Sequence, residues 1–238
     1  MPQTVNNRLV DIHTHILPQM DDGAQTVEES IKLLLELLRQ GITDVVLTPH
    51  FDSAKESVEA FCQRRAASFD LLQRELETTG LCRTLTLHLG AEVRYDPNLI
   101  YADTQKLCIG NTSYLLLELT GTYPFNFENT ANFLLSRGII PILAHIERYN
   151  YLYSDTALLD RLLADGFITQ CNASSLLSHH YSSIIKKLLK RGQVQLLASD
   201  THSLEKRPPQ LIEALKKLKK HRDYLISNSA KVISDELI

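Results

Sequence analysis

The residues with the clearest chemical potential in this chain are histidines and carboxylates that follow short apolar runs. Leu115–Leu117 precede Glu118, and a run over 140–144 precedes His145. Nine residues share this kind of position or the loop that follows it: His13, His15, Asp22, His50, Glu92, Glu118, His145, Asp200 and His202. Parallel α/β barrels carry their active sites at the C-terminal ends of their strands. The pattern therefore predicts that the nine side chains meet at one place.

The types and spacing of these residues indicate a metal site. His13 and His15 are two residues apart on a predicted strand, so both imidazoles point the same way and can reach one ion. Five imidazoles and four carboxylates suit Mn²⁺, Fe²⁺ or Zn²⁺ better than thiolate-preferring metals. A lone histidine at a strand end is more often an ordinary polar residue, so the prediction rests on the conjunction. Nine ligands are too many for one tetrahedral ion and predict two or three ions that share carboxylates.

Seven strands, placed near 8–12, 44–48, 85–90, 114–118, 139–144, 167–171 and 195–199, must position these side chains. Helices are predicted near 26–40, 55–78, 128–137, 155–165, 179–191, 209–224 and 228–236. Thr26 before Glu28 and Glu29 predicts a helix N-terminus, and Gly41 predicts its end. The alternation predicts right-handed βα units with a parallel sheet, and seven such units favour a barrel over an open sheet. We expect a single domain over 1–238.

Composition and charge narrow the function classes. A chain of 238 residues with 44% hydrophobic residues suits one α/β domain, and a net charge of −3 speaks against nucleic-acid binding. No apolar run approaches the roughly 20 residues of a membrane helix. The N-terminal MPQTVNNR lacks the apolar stretch of a signal peptide, so we expect a cytoplasmic protein without membrane insertion.

The four cysteines, Cys62, Cys82, Cys108 and Cys171, have no paired spacing that would indicate a zinc or redox motif. We expect free thiols with packing roles. None of them is followed by an arginine six positions later, as the phosphate loop of a cysteine-dependent phosphatase requires. A thiol-dependent tyrosine phosphatase is therefore excluded.

The motifs around the nine residues resemble a known superfamily. They are Asp11-Ile-His-Thr-His-Ile-Leu-Pro18, Asp21-Asp22-Gly-Ala24, Thr48-Pro49-His50, Gly90-Ala-Glu92, Leu117-Glu118, Ala144-His145-Ile-Glu-Arg148-Tyr149 and Ser199-Asp200-Thr-His202. The set is similar to the PHP (polymerase and histidinol phosphatase) superfamily, and most closely to its bacterial protein-tyrosine phosphatases of the CpsB/YwqE type. Those proteins regulate capsule and exopolysaccharide synthesis.

The resemblance implies a distorted seven-stranded (βα) TIM-like barrel with a multi-metal site, in which manganese is expected first and iron or zinc stay open. It implies that His13, His15, Glu92 and Asp200 hold one ion. Glu92 would bridge to a second ion, held also by Glu118 and His145, while Asp22, His50 and His202 would hold a third. The superfamily commonly has proline where this chain has Ile146.

Two arginines are candidates for binding the oxygens of a substrate phosphate, because a guanidinium offers a planar fork that suits phosphate. Arg148 follows His145, with an ion pair to Glu147 as the alternative role. Arg207 follows His202, with a surface role as the alternative. A tyrosine leaving group has a pKa of about 10 and needs no strong general acid, so none is assigned. The aromatic loop from Tyr123 to Phe127 could pack a phenyl ring or simply cover the rim.

The expected substrate is phosphotyrosine in a protein, and by resemblance the tail of a bacterial tyrosine kinase. A small phosphomonoester such as histidinol phosphate is the alternative for the same site. An exonuclease is disfavoured by the acidic balance of the chain. A catalytically silent module is disfavoured by the intact set of nine ligand-type residues.

Overall fold

The computed structural model describes residues 8–237, so the expectation about the extreme N-terminus lies outside the described residues. Its strands are β1 (Leu9–Thr14), β2 (Ile42–Leu47), β3 (His50–Phe51), β4 (Thr86–Leu89), β5 (Glu92–Arg94), β6 (Tyr114–Glu118), β7 (Ile140–Leu143), β8 (Ile168–Asn172) and β9 (Leu196–Ala198). Its α-helices are α1 (Val27–Arg39), α2 (Val58–Thr79), α3 (Phe127–Ser136), α4 (Asn150–Ser154), α5 (Thr156–Ala164), α6 (Ala173–Leu177), α7 (Ser182–Lys190), α8 (Leu211–Lys216) and α9 (Arg222–Ile233). Short 3₁₀ helices cover Leu81–Arg83, Pro97–Tyr101, Thr104–Leu107 and Ile146–Arg148.

The strands form two sheets with parallel pairing throughout, as the βα rhythm predicts. One sheet has the order β1-β2-β4 and the other the order β3-β5-β6-β7-β8-β9. Pro49 has no N–H to donate, and β2 and β3 are separate segments on either side of Thr48-Pro49. Gly90-Ala91 likewise separates β4 from β5. The described chain thus has nine strand segments where seven strands are expected, and each expected range overlaps at least one segment.

Backbone hydrogen bonds join the two sheets at the carboxyl ends of their strands. Asp200 N donates to His13 O at 2.9 Å, and His15 N donates to Thr201 O at 2.9 Å, which connects the end of β1 to the segment after β9. Glu92 N donates to Pro49 O at 3.0 Å. These bonds hold β1, β5 and β9 so that the residues following them face one another.

The first helix has the boundaries that its sequence predicts. The Thr26 side chain accepts a hydrogen bond from Glu29 N at 3.2 Å, which caps the N-terminus of α1. Gly41 has φ +83°, the left-handed conformation in which a helix commonly ends. Leu33, Leu34 and Leu37 on its inner face are buried in the core. The α1 prediction is confirmed.

The C-terminal helices differ from the prediction. The helix expected over 209–224 ends at Lys216, and α9 begins at Arg222 and includes most of the expected final helix. Between them the chain turns, with Leu218 N donating to Leu215 O at 3.0 Å. The turn buries Leu218, while the lysines around it are exposed. The helical spacing of apolar residues therefore continues past Lys216, although the helix ends there. The short helices α4 and α6 were not predicted.

No helix within residues 8–237 combines the length and the apolar character needed to cross a membrane.

Candidate metal centre

All nine sequence-predicted residues lie at the carboxyl ends of the parallel strands or in the loops that follow. Six of them form a buried floor: His13, His15, Glu92, His145, Asp200 and His202. The other three form an open rim: Asp22, His50 and Glu118. Asp22 has 67% of its side chain exposed, so the centre is open to solvent on that side.

Glu92 is the centre of this arrangement. Its Oε2 lies 3.3 Å from His13 Nε2 and 3.2 Å from His15 Nε2. His50 Nδ1 is 3.0 Å from the same oxygen, and His145 Nε2 is 2.8 Å from Oε1. Within residues 8–237, the buried Oε2 has no hydrogen-bond partner despite this convergence. Nitrogen ligands that surround a carboxylate oxygen without bonding to it fit an ion between them, because buried polar atoms are otherwise almost always paired.

Three overlapping groups of ligand atoms lie close enough to share an ion, with all atoms of a group within 4.8 Å of one another. The groups are His13, His15 and Asp200; His15, Asp22, His50 and His202; and His50, Glu92 and Glu118. His145 joins them through Glu92 and lies 3.7 Å from Glu118 Oε1. The structure therefore brings all nine residues into one centre, while their division among separate ions stays a prediction.

The imidazoles of the buried floor are oriented by partners on their Nδ1 side. His13 Nδ1 lies 3.2 Å from Gln170 Oε1, and His15 Nδ1 lies 2.7 Å from Asp21 Oδ2. His202 Nδ1 lies 3.0 Å from the carbonyl oxygen of Asp200. These partners accept hydrogen bonds, so Nδ1 carries a proton and Nε2 is the nitrogen that faces the centre. That orientation, assigned from the partners, is the one a metal-binding histidine needs.

Sequence reasoning missed Asp21 and Gln170 as orienting residues. Asp21 also accepts from His50 N at 2.9 Å and from Gly23 N at 2.9 Å, so it fixes the loop that carries Asp22. A signal for Gln170 was available in β8, where a buried strand carries polar residues two positions apart.

Asn172 is the last residue of β8, and its contacts link that strand to the centre. Its Oδ1 accepts from Gln170 Nε2 at 2.8 Å, and its Nδ2 donates to Asp200 Oδ2 at 2.6 Å. Both side chains therefore act from behind the ligands, with Gln170 orienting His13 and Asn172 orienting Asp200.

Neighbouring charges outweigh the effect of burial and lower the pKa of the two buried carboxylates, Glu92 and Asp200. Burial would raise the pKa of Glu92, but the charge of His13 holds it well below its usual value. Burial would lower the pKa of His15, whereas the charge of Asp21 raises it to about 10. Burial, and then the charges of His15 and Arg207, lower the pKa of His202 to about 3. The centre therefore combines two ionised buried carboxylates with a neutral imidazole at His202, and a divalent cation would replace the second proton of His15.

Two of the candidate ligands have strained backbones. His145 has φ +34° and Asp200 has φ +54°, in the left-handed region that residues other than glycine rarely adopt. Such conformations cost roughly 1–3 kcal/mol and persist at functional sites where the surroundings enforce them. In this centre they turn the two side chains inward directly after β7 and β9.

Both candidate arginines contact the carboxylate of Asp200. Arg148 Nη2 donates to Asp200 Oδ2 at 3.0 Å, and Arg207 Nη2 donates to it at 2.6 Å. Their side chains are 39% and 36% exposed, so each keeps donors on the open side of the centre. Glu147, the alternative partner considered for Arg148, accepts instead from Asn172 N at 3.1 Å.

A cavity of about 470 Å³ adjoins the open rim. Its lining includes Asp22, His50, Glu118, Lys55, Arg64 and Arg94. The aromatic loop lies after β6 on the same side of the sheet. There Tyr123 packs edge-on against Phe127, while Phe125 is 86% exposed. The loop thus combines a packed base with one aromatic side chain in solvent.

Gly23→Ala is expected to disturb the centre, because a Cβ at this position would lie 2.0 Å from His15 O and 2.6 Å from His15 Cβ. The Asp21–Asp22 loop must shift to relieve the overlap, at a cost of about 1–3 kcal/mol. The midpoint temperature of thermal unfolding and the content of bound metal should both fall. The matched control is Gly121→Ala, where a Cβ meets nothing within 4 Å. Equal behaviour of the two variants would contradict this close approach.

Comparison with known proteins identifies a family and similar sequences that cover nearly the whole chain. The family described as capsular polysaccharide synthesis, CpsB/CapC, matches residues 9–234. Tyrosine-protein phosphatase CpsB of Streptococcus pneumoniae is 30% identical, over 97% of this chain and 100% of its own length. Tyrosine-protein phosphatase YwqE of Bacillus subtilis is 30% identical, over 94% of this chain and 91% of its own length.

A solved structure is also similar to this chain over nearly its whole length. It comes from the crystal structures of YwqE from Bacillus subtilis and CpsB from Streptococcus pneumoniae, described as unique metal-dependent tyrosine phosphatases. One chain from that work is similar to this one with a TM-score of 0.85 and 27% identity, covering 97% of this chain and 96% of its own length.

Proposed function

The chain belongs to the CpsB/CapC family of capsular polysaccharide synthesis, and we propose that it is a metal-dependent protein-tyrosine phosphatase. The observation that carries the proposal is the convergence of three imidazole nitrogens on the unpartnered Oε2 of Glu92. We assign all nine residues as ligands of two or three divalent ions, with manganese first and iron or zinc as alternatives. The donor chemistry fits such ions, since it contains imidazoles and carboxylates and no thiolate.

We also propose that the nine strand segments form a single barrel of seven strands. A distorted seven-stranded (βα) barrel is supported by the hydrogen bonds from the segment after β9 back to β1, and by β2 and β4 each continuing into a second segment. We propose that residues 1–238 form one phosphatase domain.

In phosphate ester hydrolysis, we assign separate roles to the metal ligands, the arginines and the residues that orient the ligands. Divalent ions bound by the nine ligands would lower the pKa of water and neutralise charge on the phosphate. Arg148 and Arg207, held on Asp200, would donate to the remaining phosphate oxygens. Asp21, Gln170 and Asn172 keep the ligands in place. The phenolate of tyrosine can leave without a strong general acid.

The open rim suits a phosphotyrosine carried by a protein. Asp22 and His50 are exposed enough for a bulky substrate to approach, and the adjoining cavity extends the opening. The tail of a bacterial tyrosine kinase is the proposed partner, through the family resemblance. A cytoplasmic location stays a prediction.

The deciding experiment is a paired turnover assay on protein that has been chelated and then supplied with Mn²⁺. One substrate is a phosphotyrosine peptide, and the other is histidinol phosphate. We expect chelator-sensitive phosphate release from the peptide, restored by Mn²⁺, and little release from histidinol phosphate. Preference for histidinol phosphate would overturn the substrate class but keep the metal centre. Turnover that survives complete chelation would contradict the metal centre.

A further inference from the structure

One tyrosine hydroxyl contacts both sides of the metal centre from behind. Tyr149 OH lies 3.2 Å from His145 Nδ1. It donates to Leu119 O at 3.1 Å and accepts from Leu119 N at 3.0 Å. Leu119 directly follows Glu118, so one hydroxyl connects the backbone beside one ligand to the imidazole of another. The two side chains also lie close to each other, with 3.7 Å between His145 Nε2 and Glu118 Oε1.

The proton inventory of this contact determines the tautomer of His145. A phenol has one proton, and the geometry directs that of Tyr149 to the Leu119 carbonyl. The remaining contact must then be His145 Nδ1–H donating to the phenol oxygen. This leaves Nε2 as the nitrogen of His145 that faces the centre, 2.8 Å from Glu92 Oε1, where a metal would replace its proton. The other buried-floor histidines have an equivalent acceptor on Nδ1, but only His145 uses a hydroxyl that also binds the backbone of the loop.

We propose that Tyr149 is a positioning residue that fixes His145 and the Glu118 loop together for one metal ion. The inference rests on the metal centre of the proposed function, but not on the identity of its substrate. Residues that orient a metal ligand from behind typically account for 10–100-fold in metal affinity. Removing the hydroxyl should therefore weaken the ion held by His145 and Glu118 more than the ions held elsewhere.

Tyr149→Phe and Tyr151→Phe form a matched pair for the test. Tyr151 OH donates to Thr120 O at 2.7 Å, one residue further along the same loop, and its ring stacks on that of Tyr149 with centroids 5.7 Å apart. Both substitutions remove one hydroxyl and free one loop carbonyl, and Tyr149→Phe also frees Leu119 N. Only Tyr149→Phe removes a partner of an imidazole. A looser loop should therefore lower the thermal stability of both metal-free variants, whereas a loss of metal affinity is expected for Tyr149→Phe alone.

The measurements are Mn²⁺ binding by titration, metal content after gel filtration, and thermal unfolding of the metal-free proteins. We expect Tyr149→Phe to bind its weakest Mn²⁺ 10–100-fold less tightly than wild type, while Tyr151→Phe binds like wild type. At limiting Mn²⁺, turnover by Tyr149→Phe should be lower than that of wild type and of Tyr151→Phe. It should recover as the Mn²⁺ concentration is raised. Wild-type affinity in Tyr149→Phe, or an equal loss in Tyr151→Phe, overturns the inference.

A second measurement needs no substitution and covers the case in which Tyr149→Phe does not fold. In zinc-loaded wild-type protein, the imidazole ¹⁵N spectrum should show His145 protonated on Nδ1, with slow exchange of that proton. A His145 that is unprotonated on Nδ1 overturns the inference. Wild-type protein that binds no metal would overturn the proposed function together with this inference, so the two failures are distinguishable.

Discussion

Replacing Glu92 by Gln is expected to lower turnover by about 10³-fold or more and to reduce the content of bound metal. The substitution keeps the shape of the side chain and removes the negative charge on which three imidazoles converge. Metal ions contribute several kcal/mol to the stabilisation of a phosphoryl transition state, and each 1.36 kcal/mol corresponds to a tenfold change in rate. Glu92 contacts four histidines from three different strand ends, so no other carboxylate can replace it.

The measurements for this variant are turnover of a phosphotyrosine peptide and metal content by elemental analysis. Glu56→Gln is the matched control. Glu56 lines the cavity beside the rim and pairs with Arg64 at 2.6 Å, outside the centre. That variant should keep wild-type metal content. A Glu92→Gln protein with wild-type metal content and turnover would contradict the assignment of Glu92 as the shared ligand.

The position of the centre could be predicted because it follows from the rhythm of the chain. Strands such as β6 and β7 are buried along nearly their whole length and appear as apolar runs, so the residue that ends the run is visible in the sequence. Glu118 and His145 were identified in this way, and they lie together. The parallel pairing of β6 with β7 brings these ends side by side, and it required no knowledge of the loops.

The supporting contacts could not be predicted because they depend on which side chain faces inward from a loop. Asp21 and Asp22 are adjacent in sequence and identical in type, yet Asp21 holds His15 from behind while Asp22 stands on the rim. Tyr149 follows a 3₁₀ turn whose direction is set by the left-handed backbone at His145. Neither the different roles of Asp21 and Asp22 nor the position of Tyr149 can be predicted from composition or periodicity.

The helix prediction over 209–224 was wrong for the opposite reason, because the sequence pattern there was clear but misleading. Leu211, Leu215 and Leu218 have helical spacing, and the chain does remain apolar on one side past Lys216. The turn over 217–221 keeps Leu218 inside while the lysines stay in solvent. Periodicity records which residues are buried, and two helices joined by a tight turn can bury the same residues as one.

Arg148→Ala and Arg207→Ala are each expected to lower kcat by about 10²–10³-fold while leaving the metal content close to that of wild type. Both guanidinium groups bond to Asp200 Oδ2 and keep donors on the open side, where a phosphate would approach its ions. Donors aimed at charge that develops in a transition state contribute about this much. Arg148→Lys should recover part of the charge but lose the bidentate fork.

The alternative role of the two arginines is to neutralise Asp200, and the same variants distinguish it. Neutralisation alone would make metal loss and a lower thermal stability accompany any loss of turnover. Phosphate binding predicts a lower kcat at unchanged metal content, together with weaker inhibition by inorganic phosphate. Arg137→Ala provides the control, because Arg137 is exposed at the end of α3 and lies over Phe133. Because Asp200 also faces His13, a loss of metal in Arg148→Ala would mean that the arginine supports the ligand set rather than the substrate.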